Sequence, residues 1–302
     1  MVTRKRAGAL ALALLVSLLL AANAAAREFP VTVTSAGGKV TLAKKPARIV
    51  SLSPTATEML YAIGAGRQVV AVDDRSNHPA KAPRTKLSGF TPNVEAIAEY
   101  RPDLVVGEAG LTKVSGALGK LGIPVLVQPS ASSLAGAYAQ IRQLGRATGN
   151  ARAANGLAAR MKKQIASIVR ATPRPGEPIS VYHELDPTYY SATSKTFIGR
   201  VYALLGLRNI ADEADRTGSG YPQLSAEYIV AASPDLIVLA DTKCCGQTAK
   251  KVAERAGWQT IAAVRDGNVI PVNDDVASRW GPRVVAFLRA VSAKVRAIGA
   301  VR

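Results

Sequence analysis

One phrase occurs twice in this chain, and it constrains the fold more than any other feature of the sequence. Glu95-Ala96-Ile97-Ala98-Glu99-Tyr100-Arg101-Pro102-Asp103-Leu104-Val105-Val106 is answered by Glu227-Tyr228-Ile229-Val230-Ala231-Ala232-Ser233-Pro234-Asp235-Leu236-Ile237-Val238. Glu, Ile, Pro-Asp-Leu and Val fall at the same offsets. Each copy reads as a short helix with apolar residues at helical spacing, then a stop, a turn and a buried strand. Proline makes the stop because it has no amide donor to continue the helix, and aspartate suits the turn that follows. A helix-to-parallel-strand unit at matching places in two halves predicts two similar α/β lobes.

Length agrees with that reading, since 302 residues leave room for about two domains and a hydrophobic content of 48% supplies two cores. Residues 1–26 stand apart as a signal peptide. Arg4, Lys5 and Arg6 precede an uncharged run from Ala7 to Ala22, and small residues around Ala24 and Ala26 offer cleavage sites. The run is short for a membrane span of ~20 residues, although a retained anchor is the alternative. No Cys lies at the cleavage site to carry a lipid. The expected location is therefore periplasmic or otherwise extracytoplasmic. The formal net charge is +18, but Lys and Arg are scattered without interleaved aromatics, so export and pattern together exclude nucleic acid as the expected partner. A basic face that attracts an anionic ligand or membrane surface stays open. The two cysteines, Cys244 and Cys245, are neighbours and cannot form an ordinary structural staple. A vicinal disulfide and free thiols are both open to them.

The rest of the chain alternates strand and helix, which calls for mostly parallel sheets. An N-terminal hairpin turns at Gly37-Gly38. A first strand over Ile49 to Leu52 runs into Ser53-Pro54-Thr55 and a helix from Glu58 to Ile63. A helix capped by Ser132 or Ser133 ends near Thr148, and a second, about 33 Å long at ~1.5 Å per residue, spans Ala151 to Thr172. Leu157, Met161 and Ile165 line one side of it, and Pro173, Pro175 and Pro178 end it. Its position between the repeat copies makes it the connection between lobes. The expected fold is thus two Rossmann-like α/β lobes, residues 27–148 and 175–302, joined by one long helix over 149–174, with a ligand cleft between them.

Ligands of open α/β sheets bind outside the carboxyl ends of the strands. The residues that follow the expected strands include Ser53, Thr55, His78, Phe90, His183, Tyr189, Tyr190, Tyr221, the cysteine pair, Asp275 and Arg279. Both histidines and several aromatics collect there although aromatics make up only 5% of the chain. The set suits a large, flat, partly apolar ligand, with rings supplying area and Arg supplying anion contacts. Catalytic signatures are missing: there is no nucleophile elbow, His-Glu-x-x-His, phosphate loop or dinucleotide glycine pattern. Neither a resident metal nor a cofactor is expected.

Several stretches in order resemble the helix-hinged periplasmic substrate-binding proteins of ABC importers for cobalamin, haem and ferric siderophores. They are Ile49-Val50-Ser51-Leu52-Ser53-Pro54 through Glu58, Asn93 to Ile97, the two Pro-Asp-Leu strands, Leu121 to Val125, and Pro222-Gln223-Leu224-Ser225 with Glu227. The resemblance implies that Glu95 and Glu227, one per lobe, dock onto arginines of the permease dimer, which works with its ATPase subunits. It implies a monomeric, non-catalytic carrier of a metal chelate. Asp275 to Arg279 is similar to the cobalamin-binding member, whose Asp and Arg at these places contact the corrinoid. Phe90 and Tyr221 fall where that member has tryptophans. A corrinoid is the leading ligand by this resemblance. Haem, with His78, His183, Tyr189 or Tyr221 as axial ligand, comes second and a ferric siderophore third. A chelatase using His183 and Asp275 is the rival class.

Overall fold

The computed structural model describes residues 29–174 and 176–301, so the leader read at residues 1–26 lies outside the described residues. Two four-stranded sheets carry the architecture. The first contains β3 (Ile49–Leu52), β4 (Val69–Val72), β5 (Leu104–Gly107) and β6 (Val125–Val127), following an antiparallel hairpin of β1 (Val31–Ser35) and β2 (Gly38–Leu42). The second contains β7 (Ser180–Glu184), β8 (Arg208–Asn209), β9 (Leu236–Leu239) and β10 (Val269–Pro271). All pairings within both sheets are parallel. The central strands β3, β5, β7 and β9 are buried at every residue, as parallel strands covered by helices on both faces require.

Strand orders are β4-β3-β5-β6 and β8-β7-β9-β10, so each sheet places its four strands in the order second, first, third, fourth. The repeated phrase supplies the third strand of each, β5 and β9. Its aspartates explain the repetition physically. Asp103 accepts hydrogen bonds from the amides of Ala47 and Arg48, each 2.9 Å, at the entry to β3. Asp235 accepts from the amide and hydroxyl of Ser180, each 2.8 Å, at the entry to β7. In both lobes the turn before the third strand therefore fixes the start of the first. The residue before each proline, Arg101 at φ 46° and Ser233 at φ 40°, adopts the left-handed conformation that ends the helix abruptly.

The connecting helix is Ala151–Arg170, about 30 Å long at ~1.5 Å per residue. It follows helix Leu134–Ala147 after a short turn, and the two lie so close that a Cβ on Gly145 would stand 2.3 Å from the Ala154 Cβ. Its buried face, including Leu157, Met161 and Ile165, joins one apolar cluster that runs from Ile49 and Leu104 in the first lobe to Val181 and Leu236 in the second. The C-terminal helix Val284–Val301 packs against it, tied by a 2.7 Å hydrogen bond between the hydroxyls of Thr172 and Ser292. The hinge is thus a continuous core rather than a bare linker.

Two of the boundaries that differ from expectation matter at the site. The first helix is Pro54–Ala62 rather than starting at Glu58: the Ser53 hydroxyl caps the Ala56 amide at 3.2 Å and Pro54 fills the first helical position, where its missing amide costs nothing. Glu58 therefore lies mid-helix and buried. Strand β7 runs on to Glu184, so His183 lies within it rather than after it, because His183 and Glu184 continue its pairing with β9.

Candidate functional site

The carboxyl ends of the two sheets meet. The segment after β4 (Asp73 to Asn77) touches the segment after β10 (Asn273 to Arg283) through a dense polar network. Arg279 Nη1 donates to Glu58 Oε1 at 2.8 Å and Asn77 Oδ1 at 3.0 Å. Its Nη2 donates to Asp275 Oδ1 at 2.6 Å and to the Arg75 carbonyl at 3.1 Å. Arg283 grips both oxygens of Glu58, at 2.9 and 2.5 Å. Asp275 also accepts from Asn77 and from Lys243, each 2.8 Å. Trp280 adds a 2.8 Å bond from its ring nitrogen to Gln140 on helix Leu134–Ala147. Burial pushes the Asp275 carboxyl up, but Lys243, Asn77 and Arg279 more than offset this and hold it below the ordinary aspartate value. The hydrogen bonds that Arg283 donates to Glu58 raise its pKa. The sequence offers Asp275 and Arg279 as ligand contacts, yet both terminal nitrogens of Arg279 are committed to protein acceptors and the residue is only 8% exposed. In this structure the two residues buttress one lobe against the other.

Beside this buttress the first lobe opens a cavity of about 190 Å³ lined by Leu52, Pro54, Asp73, Phe90 and Glu108 among others. Gly110 lets its loop press against the neighbouring one, since a Cβ there would stand 2.3 Å from the Gly89 carbonyl oxygen. Phe90 projects from that crowded backbone and is 79% exposed. Ser53, besides capping its helix, donates to Glu108 Oε1 at 2.7 Å. Burial raises the Glu108 carboxyl, with the Ser53 bond and Arg279 pulling the other way, and burial likewise raises Asp73. Thr55 is buried behind them. Glu108 is absent from the residues picked out in the sequence, although it directly follows β5 and the strand-end rule applied there finds it.

The second lobe sets out its own rings. Tyr190 and Tyr221 stand on two adjoining segments, joined by the bridge between Tyr190 and Gln223 and by the 2.9 Å bond from the Ser191 amide to the Pro222 carbonyl. They are 40% and 48% exposed. With Phe90, they are three of the four exposed large hydrophobic residues among those described.

His183 is a correction. Because β7 extends through Glu184, His183 lies inside the sheet with no exposed surface, its Nδ1 2.5 Å from the Tyr202 hydroxyl and its ring edge-on to Phe287. Burial lowers its pKa to about 3, so it stays neutral. It offers neither a cleft contact, nor a haem axial ligand, nor a chelatase base. His78 lies beside Glu58, Tyr61 and Arg283 at the edge of the buttress. Cys244 and Cys245 form a vicinal disulfide on an exposed turn, which hangs from Asp274 through the amides of Lys243 and Cys244 at 2.9 and 2.7 Å.

Beneath that turn lies a second acidic group that sequence reasoning missed. Glu184 and Asp241, at the ends of β7 and β9, have no exposed surface. Arg255 holds Glu184 with two bonds of 2.6 Å and lies over the Trp258 ring at 4.4 Å. No protein N–H or hydroxyl donor reaches either Asp241 carboxyl oxygen, and burial, the Glu184 charge and a carboxyl–carboxylate hydrogen bond with Glu184 raise its pKa to about 7.

Glu95 and Glu227 occupy the second position of matching helices, Val94–Ala98 and Ala226–Ala232, capped by Asn93 (2.8 Å to the Ala96 amide) and Ser225 (3.1 Å to the Tyr228 amide). Both are exposed. The helix-end amide and the Ser225 hydroxyl hold the Glu227 carboxyl below its ordinary value.

Two similar lobes, a packed helical hinge and a ring-lined junction of strand ends define a two-lobed α/β binding protein. The sequence agrees: residues 49–276 match the periplasmic binding protein family, and the chain belongs to it. It is 34% identical to an uncharacterised ABC transporter substrate-binding lipoprotein of Bacillus subtilis, over 93% of this chain and 94% of that one. It is 33% identical to the cobalamin-binding protein of Halobacterium salinarum, over 85% of this chain and 72% of that one. The periplasmic haem-binding protein of Vibrio cholerae shares the fold, with a TM-score of 0.72 at 23% identity over 82% of this chain and 97% of that one. The expected fold class is the observed one.

Proposed function

We propose that this protein captures a corrinoid such as cobalamin outside the cytoplasm and delivers it to an ABC permease dimer with its ATPase subunits. The observation that carries the reading is the make-up of the strand-end rim: exposed rings on both lobes beside cations that are mostly bound to carboxylates, with Arg75, 3.8 Å from Asp74, as the exposed one at the cavity. Arg279 and Arg283 are bound to Glu58, Lys243 to Asp275, and Arg255 to Glu184. A haem with two carboxylates, or an anionic ferric siderophore, would need free cations, whereas a broad ligand fringed with neutral amides needs ring area and hydrogen-bond partners. Glu108 and Asp73, both raised by burial, suit amide partners better than carboxylates. The cobalamin-binding relative from Halobacterium salinarum supports the same ligand. Phe90, Tyr190 and Tyr221 form the ligand rim in this reading, with Ser53 and Thr55 supporting the first lobe's side of it. Asp275 and Arg279 set the angle between lobes. Glu95 and Glu227, exposed at equivalent positions, are the paired contacts for arginines of a two-fold permease. The protein acts without catalysis, with residues 27–148 and 175–302 as its lobes and 149–174 as the hinge.

Protein incubated separately with cyanocobalamin and haem, then desalted, tests the ligand by absorption. Retained corrinoid bands at one equivalent are expected, while a retained Soret band without corrinoid would overturn the assignment. Transport in vesicles containing the permease tests delivery. The Glu95→Ala, Glu227→Ala variant should bind ligand as before and fail to stimulate uptake, and full stimulation by that variant would refute the docking role.

A further inference from the structure

The three helices that form the hinge layer, Leu134–Ala147, Ala151–Arg170 and Val284–Val301, contain two, five and three Lys or Arg residues and no Asp or Glu. They hold ten of the chain's eighteen net positive charges. Their apolar faces are filled by the shared core, so the cations, Arg146, Arg152, Arg160, Lys163, Arg170 and Arg296 among them, point to solvent. None of the ion pairs among the described residues involves any cation of this layer. At the strand-end junction, by contrast, Arg279, Arg283, Lys243 and Arg255 are each matched to a carboxylate.

We infer that this hinge layer is a docking face for an anionic phospholipid surface. Three features favour a lipid sheet over a macromolecular partner. The face has no exposed large hydrophobic residue: those of the described chain are Phe90, Leu121, Tyr190 and Tyr221, all elsewhere. A protein partner would call for such anchors. Single-stranded nucleic acid would call for exposed rings to stack its bases, and the layer's rings, Tyr138 and Phe287, are buried in the core. The connecting helix, about 30 Å long, instead spreads charge along an extended surface, the arrangement that gains from many weak, simultaneous attractions to headgroups within a screening length of ~10 Å. Insertion is excluded because the apolar sides of these helices are already occupied. Contact is therefore electrostatic and reversible. It keeps the carrier near the bilayer that holds its permease while leaving the strand-end junction to the ligand.

Flotation with vesicles of phosphatidylglycerol or of phosphatidylcholine alone tests the proposal, using the protein as exported. Its reference is an Arg152→Glu, Arg160→Glu, Lys163→Glu variant with the same N-terminus. Any contribution of the leader is then common to both proteins and to both lipids. Wild type should partition onto phosphatidylglycerol at least about tenfold more than onto phosphatidylcholine at low salt, lose that excess near 0.5 M salt, and exceed the variant by a similar factor. Circular dichroism of the variant should match wild type, since all three positions are exposed. Equal partitioning onto the two lipids, or equal partitioning of wild type and variant, would overturn the proposal. Binding to duplex DNA as tight as to phosphatidylglycerol vesicles at the same salt would overturn the assignment to lipid.

Discussion

The two lobes are built alike up to the carboxyl ends of their strands and differently beyond them. Each begins with a strand whose entry is fixed by the aspartate of a Pro-Asp-Leu turn, and each orders its strands second, first, third, fourth. Past the strand ends, the first lobe presents Ser53, Glu108 and Phe90 around a cavity, while the second seals Glu184, Asp241 and Arg255 under a disulfide-bonded turn. The repeated parts are those that any four-stranded parallel unit needs to set its register. The divergent parts line the junction between the lobes, so the asymmetry of the site is not a feature of the scaffold.

The sealed acidic group should show the largest effect when broken. Arg255→Met leaves Glu184 buried beside Asp241 without its countercharge, and should destabilise the protein by about 3–5 kcal/mol in urea unfolding. No first-lobe strand-end substitution of a single neutral side chain, such as Ser53→Ala, should approach that. Next come the paired braces. Asp103→Ala and Asp235→Ala should each cost about 1–3 kcal/mol, and near-equal costs would confirm that the turns do the same work in both lobes.

The Asp241 carboxyl predicts a pH dependence with a definite sign. Its folded pKa, raised to about 7, lies above the ordinary aspartate value of 3.8, so the folded state holds a proton that the unfolded state releases between those values. Its stabilising contribution is complete below about 3.8 and is lost as pH rises through 7. Asp241→Asn should flatten that part of the stability profile and raise stability at pH 8 relative to wild type; an unchanged slope would refute it. The smallest effect separates the left-handed residues. Arg101→Gly relieves an unfavourable φ and should stabilise by roughly 0.5 kcal/mol after the entropy cost of glycine. Ser233→Gly also removes the hydroxyl that accepts the Ala262 amide at 3.0 Å and should gain less.

How much of this was legible beforehand follows the range of the interactions. The repeat announced two parallel lobes because helix stop, turn and strand are local and carry distinct residue types. The connecting helix was legible from its amphipathic stripe and its terminating prolines. The helix start at Pro54 was placed late because the capping role of Ser53 depends on one rotamer. The fate of His183 depended on two more residues of pairing with β9, which an alternating apolar pattern does not reveal. Asp275 and Arg279 could be picked out as a pair four residues apart, but the second carboxylate that holds Arg279 is Glu58, 221 residues away in sequence. The cysteine pair was limited to a vicinal disulfide or free thiols by adjacency, and the structure has the disulfide.

Calorimetric titration of cyanocobalamin into wild type, Phe90→Ala and Tyr221→Ala tests the central claim most directly, because the claim is that one ligand is held by rings from both lobes. Each substitution should weaken binding by about tenfold or more, equivalent to about 1.4 kcal/mol, without changing the one-to-one ratio. Wild-type binding that neither substitution alters would contradict the account.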